Sequence, residues 1–136
     1  MLQLMVEDQL AYEAMLALRK TARDSAARKE KWAPTLLACI RAPQAMAATA
    51  VAILHLCDRL VNIVNRFLLS DLAVCADLSM ATARCALYNV RINARELTEA
   101  DDRAEVERRS FELLASAANL IQHVSPRIWD RESHEA

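Results

Sequence analysis

The chain contains no glycine in its 136 residues, and this absence restricts the possible folds more than any other feature. At the average usage of roughly 7%, about nine or ten glycines would be expected. Glycine supplies the positive φ angles of tight hairpins and the close backbone approach of phosphate-binding loops. Rossmann, P-loop and β-sandwich folds are therefore disfavoured. The hydrophobic share of 54% argues against disorder, so the sequence predicts one helical domain.

The charge balance narrows the classes of partner. Seventeen Lys and Arg residues stand against eighteen Asp and Glu residues, which leaves no basic field to hold nucleic acid or an anionic membrane. Glu7 and Asp8 lie where a signal peptide would have its apolar centre. We therefore expect a cytoplasmic protein that binds neither nucleic acid nor membrane. The charged run from Arg19 to Lys31 is most simply a solvated loop and the start of a helix.

The four cysteines carry no metal-binding pattern. Each lies inside an apolar run, with no C-x-x-C pair and no companion histidine at metal-ligand spacing. Free cysteine is among the most buried residue types. We expect Cys39, Cys57, Cys75 and Cys85 to be small buried hydrophobic residues in a reducing cytosol, and we expect no metal.

Apolar periodicity and helix-breaking residues divide the chain into four helical stretches. These stretches are predicted at about 2–20, 25–64, 70–93 and 98–126. Pro34 and Pro43 each remove a helical hydrogen-bond donor, so the second stretch is expected in two or three pieces. The sequence predicts an all-α bundle of four to five helices within residues 1–126, followed by a frayed tail at 127–136.

The predicted helix at 70–93, SDLAVCADLSMATARCALYNVRIN, is apolar almost all round, so we expect it to be a buried central helix of the bundle. Ser70 is a good N-cap residue. At 100° per residue the polar side chains form two stripes: Asp71, Cys75, Thr82, Asn89 and Asn93 on one, and Asp77, Arg84, Tyr88 and Arg91 on the other. In one interpretation these groups satisfy one another and neighbouring helix ends. In the other they line a cleft between helices or subunits.

The same helix resembles the most recognisable helix of the formiminotransferase-cyclodeaminase and methenyltetrahydrofolate cyclohydrolase family. The family pattern is Ser-Asp, a run of small residues, and then Asn-Val-x-Ile-Asn. Ser70, Asp71, Asn89 and Asn93 match it in place. The segment EDQLAYEAM is similar to the family's acid-acid-x-x-Ala-aromatic helix, with Asp8 and Tyr12 on the shared positions. The stretch 40–57 is similar to the family's proline-led helix, so the resemblance covers nearly the whole chain.

The resemblance implies an all-α domain that dimerises and binds a reduced folate, a tetrahydrofolate derivative, in a pocket between helices. Family members eliminate ammonia from 5-formiminotetrahydrofolate or hydrolyse 5,10-methenyltetrahydrofolate, and neither reaction requires a metal. Both need proton transfers that a positioned carboxylate can perform. The resemblance gives Asp8 or Asp71 the acid/base role, and makes Asn89, Asn93, Tyr12 and Ser70 the ligand-binding residues.

The chain also departs from the family pattern. Ahead of the segment that contains Asp8, the family carries a Pro-Gly-Gly-Gly-Ser turn and a lysine-rich stretch that this sequence lacks. Cys85 replaces the glycine before the Asn-Val element, and Leu72 or Ala73 replaces the glycine after Ser-Asp. These departures suggest a fragment, a shortened relative, or a part supplied by another polypeptide. A catalytically silent folate-binding relative and a helical dimerisation module therefore stand as alternatives to a one-carbon enzyme.

Overall fold

The chain folds into four α-helices in a computed structural model that describes residues 1–134. The helices are α1 (Leu2–Arg19), α2 (Ala26–Leu60), α3 (Leu69–Ala94) and α4 (Ala100–His134), with a short 3-10 helix (Arg66–Leu68) before α3. No β-strand occurs among the described residues. The prediction of an all-α bundle is therefore confirmed.

Helix α2 runs unbroken for 35 residues through Pro34 and Pro43, so the expectation of two or three pieces is wrong. A proline at position i leaves the carbonyl at i−4 without its helical donor. For Pro43 this carbonyl belongs to Cys39, and the side-chain Nδ2 of Asn93 in α3 donates to it at 2.9 Å. For Pro34 the carbonyl belongs to Glu30, and both residues are exposed, so water can take the place of the missing donor.

Helix α4 continues past Pro126 to His134, beyond the predicted domain end at 126 and into the segment expected to be frayed. Ile128 is buried, and the guanidinium of Arg127 forms an ion pair with Asp58. Arg131 donates from Nη1 to two backbone carbonyls that follow directly after α2, those of residues 61 and 64. These contacts attach the last turns of α4 to the bundle. Residues 135 and 136 of the predicted tail lie outside the described residues.

Two clusters of buried side chains lie at opposite ends of the α2–α3 pair. One joins the second half of α2 to the first half of α3 and to α4, and it includes Leu54, Leu69 and Val124. The other joins α1 to the first half of α2 and the second half of α3, and it includes Met15 and Ile40. Full burial of one such aliphatic side chain contributes roughly 1.5–3 kcal/mol, so both ends of the bundle have a core.

Helix α2 contains a window apolar and long enough to cross a membrane, and 44% of that window is buried inside the protein. The helix packs against α1, α3 and α4. These contacts bury part of its apolar surface.

Helix α3 is central in that it packs against both α2 and α4. It begins at Leu69, so Ser70 lies in the first turn and is not the N-cap. Burial is found on the sides that face the neighbouring helices, whereas the remaining face is exposed in the single chain. That face carries apolar side chains, among which Leu78 is 63% exposed and Tyr88 60%.

Candidate functional site

A cavity of about 440 Å³ lies between α1, α2 and α3. It contains four of the six residues that the sequence singles out as a site: Asp8, Tyr12, Asn89 and Asn93. The other lining residues are Met15, Leu16, Arg19, Cys39 and Ile92. A cavity of this size, apolar with a few convergent polar groups, is typical of a small-molecule site.

Helix α1 supplies one wall. Asp8, Tyr12, Met15 and Arg19 follow one another at intervals of three or four residues, so they share a helix face. Met15 is only 4% exposed and belongs to the buried cluster beneath the cavity. Asp8 is half-buried and Tyr12 is exposed. The wall therefore has an apolar base, with a carboxylate and a phenol above it.

The opposite wall depends on the proline in α2. Because Pro43 has no N–H, the Cys39 carbonyl accepts its hydrogen bond from Nδ2 of Asn93. This bond fixes the Asn93 side chain at the α2–α3 junction and leaves Oδ1 of the same amide for a ligand. Asn89, one turn earlier on α3, is exposed to the cavity. The wall thus offers two amides, groups that can both donate and accept hydrogen bonds.

Cys39 is a cavity residue that sequence reasoning did not select. Its side chain is buried, and burial raises the pKa of the thiol, helped by the negative charge of Asp8 and opposed by the positive charge of Arg19. The thiol is therefore held neutral. The available signal was the position of Cys39 four residues before Pro43, which marks a carbonyl in need of a donor.

A second, larger depression of about 790 Å³ adjoins this cavity through the shared residue Arg19. Four of its six lining residues lie in the segment predicted as a solvated loop and helix start, and two lie outside it. The lining residues are Arg19, Arg23, Arg28, Lys29, Trp32 and Glu96. Arg28 stacks over the Trp32 ring at 4.6 Å and donates to the Thr21 carbonyl at 2.8 Å. Arg19 forms an ion pair with Glu96. Cations outnumber anions in this depression, so it presents a positive surface beside the cavity.

Ser70 and Asp71, the other two predicted site residues, lie elsewhere. Both are exposed in the first turn of α3. At 1.5 Å per residue, Asp71 is roughly 27 Å along the helix axis from Asn89. The structure therefore does not bring Asp71 and Asp8 into one cavity within a single chain.

Within the described residues 1–134, no three His, Cys, Asp or Glu side chains are grouped closely enough to hold a metal ion. The polar groups of the cavity are a carboxylate, two amides, a phenol, a guanidinium and a neutral thiol. Such a set can bind a polar heterocycle and exchange protons with it.

Comparison with known proteins identifies the family. No curated protein matches the chain. The sequence model of the formiminotransferase-cyclodeaminase family matches residues 1–112, a range that includes every residue lining the cavity as well as Ser70 and Asp71. The match covers far more than half of the chain and extends from α1 into α4. The chain therefore belongs to the formiminotransferase-cyclodeaminase family.

Proposed function

We propose that the cavity between α1, α2 and α3 binds a reduced folate, and that the chain acts on its one-carbon unit as a cyclodeaminase or a methenyltetrahydrofolate cyclohydrolase. One observation carries the proposal: residues 81 positions apart, Asp8 and Asn89, line one cavity together with Tyr12 and Asn93. Family membership supports the substrate class.

The chemistry requires a group that can both take and give a proton. In ammonia elimination, N10 of the folate attacks the formimino carbon, N10 loses a proton, and the departing amine gains one. In methenyl hydrolysis, water attacks the bridging carbon, and the proton that it loses is later needed on N5. Asp8 is the carboxylate that lines the cavity, so we assign it the transfer of these protons.

The remaining cavity residues would hold and orient the folate. The amides of Asn89 and Asn93 can pair with the alternating donors and acceptors along a pterin edge. Tyr12 offers an aromatic face as well as a hydroxyl group. Arg19 lies where the cavity meets the positive depression, which suits the carboxylates of the folate's glutamate.

A homodimer is part of the proposal because of the exposed face of α3. Six apolar or small residues lie within an arc of about 80° at 100° per residue: Val74, Leu78, Ala81, Cys85, Tyr88 and Ile92. All six are exposed. A contiguous apolar face of this kind is rare on a monomer, and a second copy of α3 packed on it would remove it from water.

An antiparallel α3 pair would also account for Asp71. If the two-fold axis lay near Ala81, the start of one α3 would lie beside the end of the other. The partner's Asp71 would then approach the turn from Asn89 to Asn93, at the rim of the cavity. Both carboxylates named by the sequence could in that arrangement serve one site.

The first experiment follows 5,10-methenyltetrahydrofolate by its absorbance, with and without protein, against a protein-free control for spontaneous hydrolysis. Ammonia release from 5-formiminotetrahydrofolate is measured in parallel. Asp8→Asn should lower either rate by about 10²-fold or more, because general acid/base catalysis contributes roughly that much. Glu7→Gln is the matched control, since Glu7 is exposed and is bonded to Gln3. Equal rates in Asp8→Asn and the unaltered protein would refute the role of Asp8.

A silent binding relative is distinguished by thermal stability. A reduced folate at 100 times its Kd should stabilise the protein by about 2.7 kcal/mol whether or not it is consumed. Asn89→Leu should remove most of this ligand-induced increase while leaving the stability of the free protein nearly unchanged. If a reduced folate neither reacts nor changes the melting temperature, the enzyme and the folate-binding relative are both excluded, and the helical dimerisation module is the alternative that remains.

The dimer is tested by sedimentation. Leu78→Arg places a charge at the centre of the exposed α3 face and should yield monomers. Ile63→Arg is the control, because Ile63 is 77% exposed in the connection between α2 and α3. Dissociation by both variants, or by neither, would contradict the α3 interface.

A further inference from the structure

Two cysteine sulfurs meet where α2 and α3 pack together. The Sγ atoms of Cys57 and Cys75 lie 3.8 Å apart, and the Cys57 thiol donates to Cys75. Cys57 is 2% exposed within the core, whereas Cys75 is exposed, as is Cys85. The expectation that all four cysteines are buried is therefore wrong for two of them, because Cys75 lies at the edge of the buried side of α3 and Cys85 lies on its exposed face.

The pair occupies a defined register between the helices. Cys57 lies eighteen residues after Cys39, and Cys75 lies eighteen residues before Asn93. Eighteen residues make five helical turns, so both pairs face each other along the same line of contact, which we call the α2–α3 seam. The Cys39–Asn93 hydrogen bond and the two thiols mark opposite ends of this seam.

We propose that Cys57 and Cys75 form a reversible disulfide that links α2 to α3 when the protein meets a low-molecular-weight disulfide such as oxidised glutathione. The exposed thiolate of Cys75 attacks one sulfur of that disulfide and releases one small thiolate. The thiolate of Cys57 then attacks Sγ of Cys75 and releases the second. Two protein thiols are oxidised, and the small disulfide is reduced to two thiols.

The geometry favours this bond. A disulfide joins sulfurs about 2.0 Å apart, so the two Sγ atoms need to approach by less than 2 Å along a seam that already holds them in contact. The Cys75 thiol is accessible to the oxidant, and the buried Cys57 thiol is in contact with it. Cys75 also lies about 100° round α3 from the centre of the exposed apolar face, on the side towards α2. A second copy packed on that face would leave Cys75 at its edge.

Burial sets the pace of the second step. Burial, the hydrogen bond to Cys75 and the charge of Cys75 together raise the pKa of the Cys57 thiol. Burial is the largest of these causes and still acts when Cys75 carries glutathione, so only a small fraction of Cys57 is thiolate near neutrality. Closure of the protein disulfide should therefore speed up about tenfold for each pH unit between 7 and 9. The mixed disulfide at Cys75 is then the species that accumulates at lower pH.

The disulfide would stabilise the bundle without closing the cavity. It would tie the end of α2 to the first third of α3, across the connection that holds the 3-10 helix. Closing a loop of this length restricts the unfolded chain, and a rise in melting temperature of about 5–10 °C is expected. The cavity lies at the other end of the seam, roughly 27 Å away by helix rise. The proposal therefore does not rest on the proposed function.

The experiment incubates the full chain with oxidised glutathione at pH 8.5 and follows its intact mass. The expected product has lost two hydrogen atoms through a cross-link between residues 57 and 75, which peptide mapping identifies, and carries glutathione only at the exposed Cys85. Its melting temperature rises, and dithiothreitol reverses both changes. Cys85→Ser is the matched control on the same helix and should form the same cross-link with no glutathione attached.

Two variants decide the assignment. In the Cys85→Ser background, Cys57→Ser should stop at a stable adduct with one glutathione at Cys75, and Cys75→Ser should remain without the cross-link. A cross-linked product that persists in either variant would overturn the proposal. So would an unaltered protein that accumulates only the glutathione adduct at pH 8.5 and above.

Discussion

Replacing Asn93 by leucine tests the link between the proline in α2 and the cavity. The Asn93 amide is the donor to the Cys39 carbonyl that Pro43 leaves without a helical partner. Leucine has a similar volume and cannot donate. The variant therefore removes the hydrogen bond with little change in packing.

The expected magnitude follows from the surroundings of that carbonyl. Cys39 is 5% exposed, so its carbonyl has little access to water as a replacement partner. An unsatisfied buried polar group costs about 1–3 kcal/mol. The leucine side chain recovers part of this by burying apolar surface in a half-buried position, so we expect the free energy of unfolding to fall by about 1–2 kcal/mol.

A double-mutant cycle isolates the mechanism. Pro43→Ala restores a backbone N–H that can donate to the Cys39 carbonyl within α2. In that background Asn93→Leu should cost less than about 0.5 kcal/mol, which gives a coupling energy near 1 kcal/mol. Urea unfolding followed by circular dichroism measures all four proteins. Asn89→Leu serves as a control because its amide lines the cavity without reaching this carbonyl.

An equal cost of Asn93→Leu in both backgrounds would mean that Asn93 acts through its own contacts and not by replacing the donor lost at Pro43. A similar loss in Asn89→Leu would point to a general effect of apolar substitution along α3.

Three further predictions address other parts of the bundle. Asp58→Ala should lower the free energy of unfolding by about 1 kcal/mol in urea, because it removes the half-buried ion pair with Arg127. The Cys57 pKa rises from 9.0 to about 11 on folding, so the neutral thiol stabilises the folded state fully below pH 9 and that contribution is lost as pH rises through 11. Unaltered protein should therefore lose more of its free energy of unfolding than Cys57→Ala between these pH values. Pro34→Ala should stabilise α2 by about 1–2 kcal/mol in thermal unfolding, because it adds the missing helical hydrogen bond at an exposed position.

The fold was largely predictable because helix periodicity is a local signal. The four predicted stretches coincide with the four helices to within a few residues at most ends. The errors occur at prolines. The rule that a proline ends a helix considers only neighbouring residues, and it misses distant groups that can hold the helix together. Pro43 is accommodated by Asn93, 50 residues further along the chain, and the turns after Pro126 are held by contacts with the end of α2. The sequence around a proline does not show which distant groups will contact it in the folded chain.

The sequence predicted part of the lining of the candidate site but not how that lining is assembled. The resemblance named Asp8, Tyr12, Asn89 and Asn93, and the structure places them around one cavity. It named Asp71 with equal weight, yet helix rise alone separates Asp71 from Asn89 by about 27 Å. Spacing on a helix reports which residues share a face. It does not report which of them share a ligand when the face is five turns long.

The polar stripe of α3 that contains Cys75, Asn89 and Asn93 therefore makes different contacts at the two ends of the seam. Near the end of the helix, Asn93 satisfies a backbone carbonyl of α2, while Asn89 remains available to the cavity. Near the start, Cys75 meets a thiol of α2 on the same line of contact. Of the two interpretations left open by the sequence, the lining of a cleft is seen at Asn89. Asn93 does satisfy a polar group, but that group is a carbonyl inside α2 and neither another residue of the stripe nor a helix end. The contact that each polar side chain of α3 makes therefore depends on the group of α2 that lies opposite it. At the cavity end this group is the carbonyl freed by Pro43, and at the other end it is the thiol of Cys57.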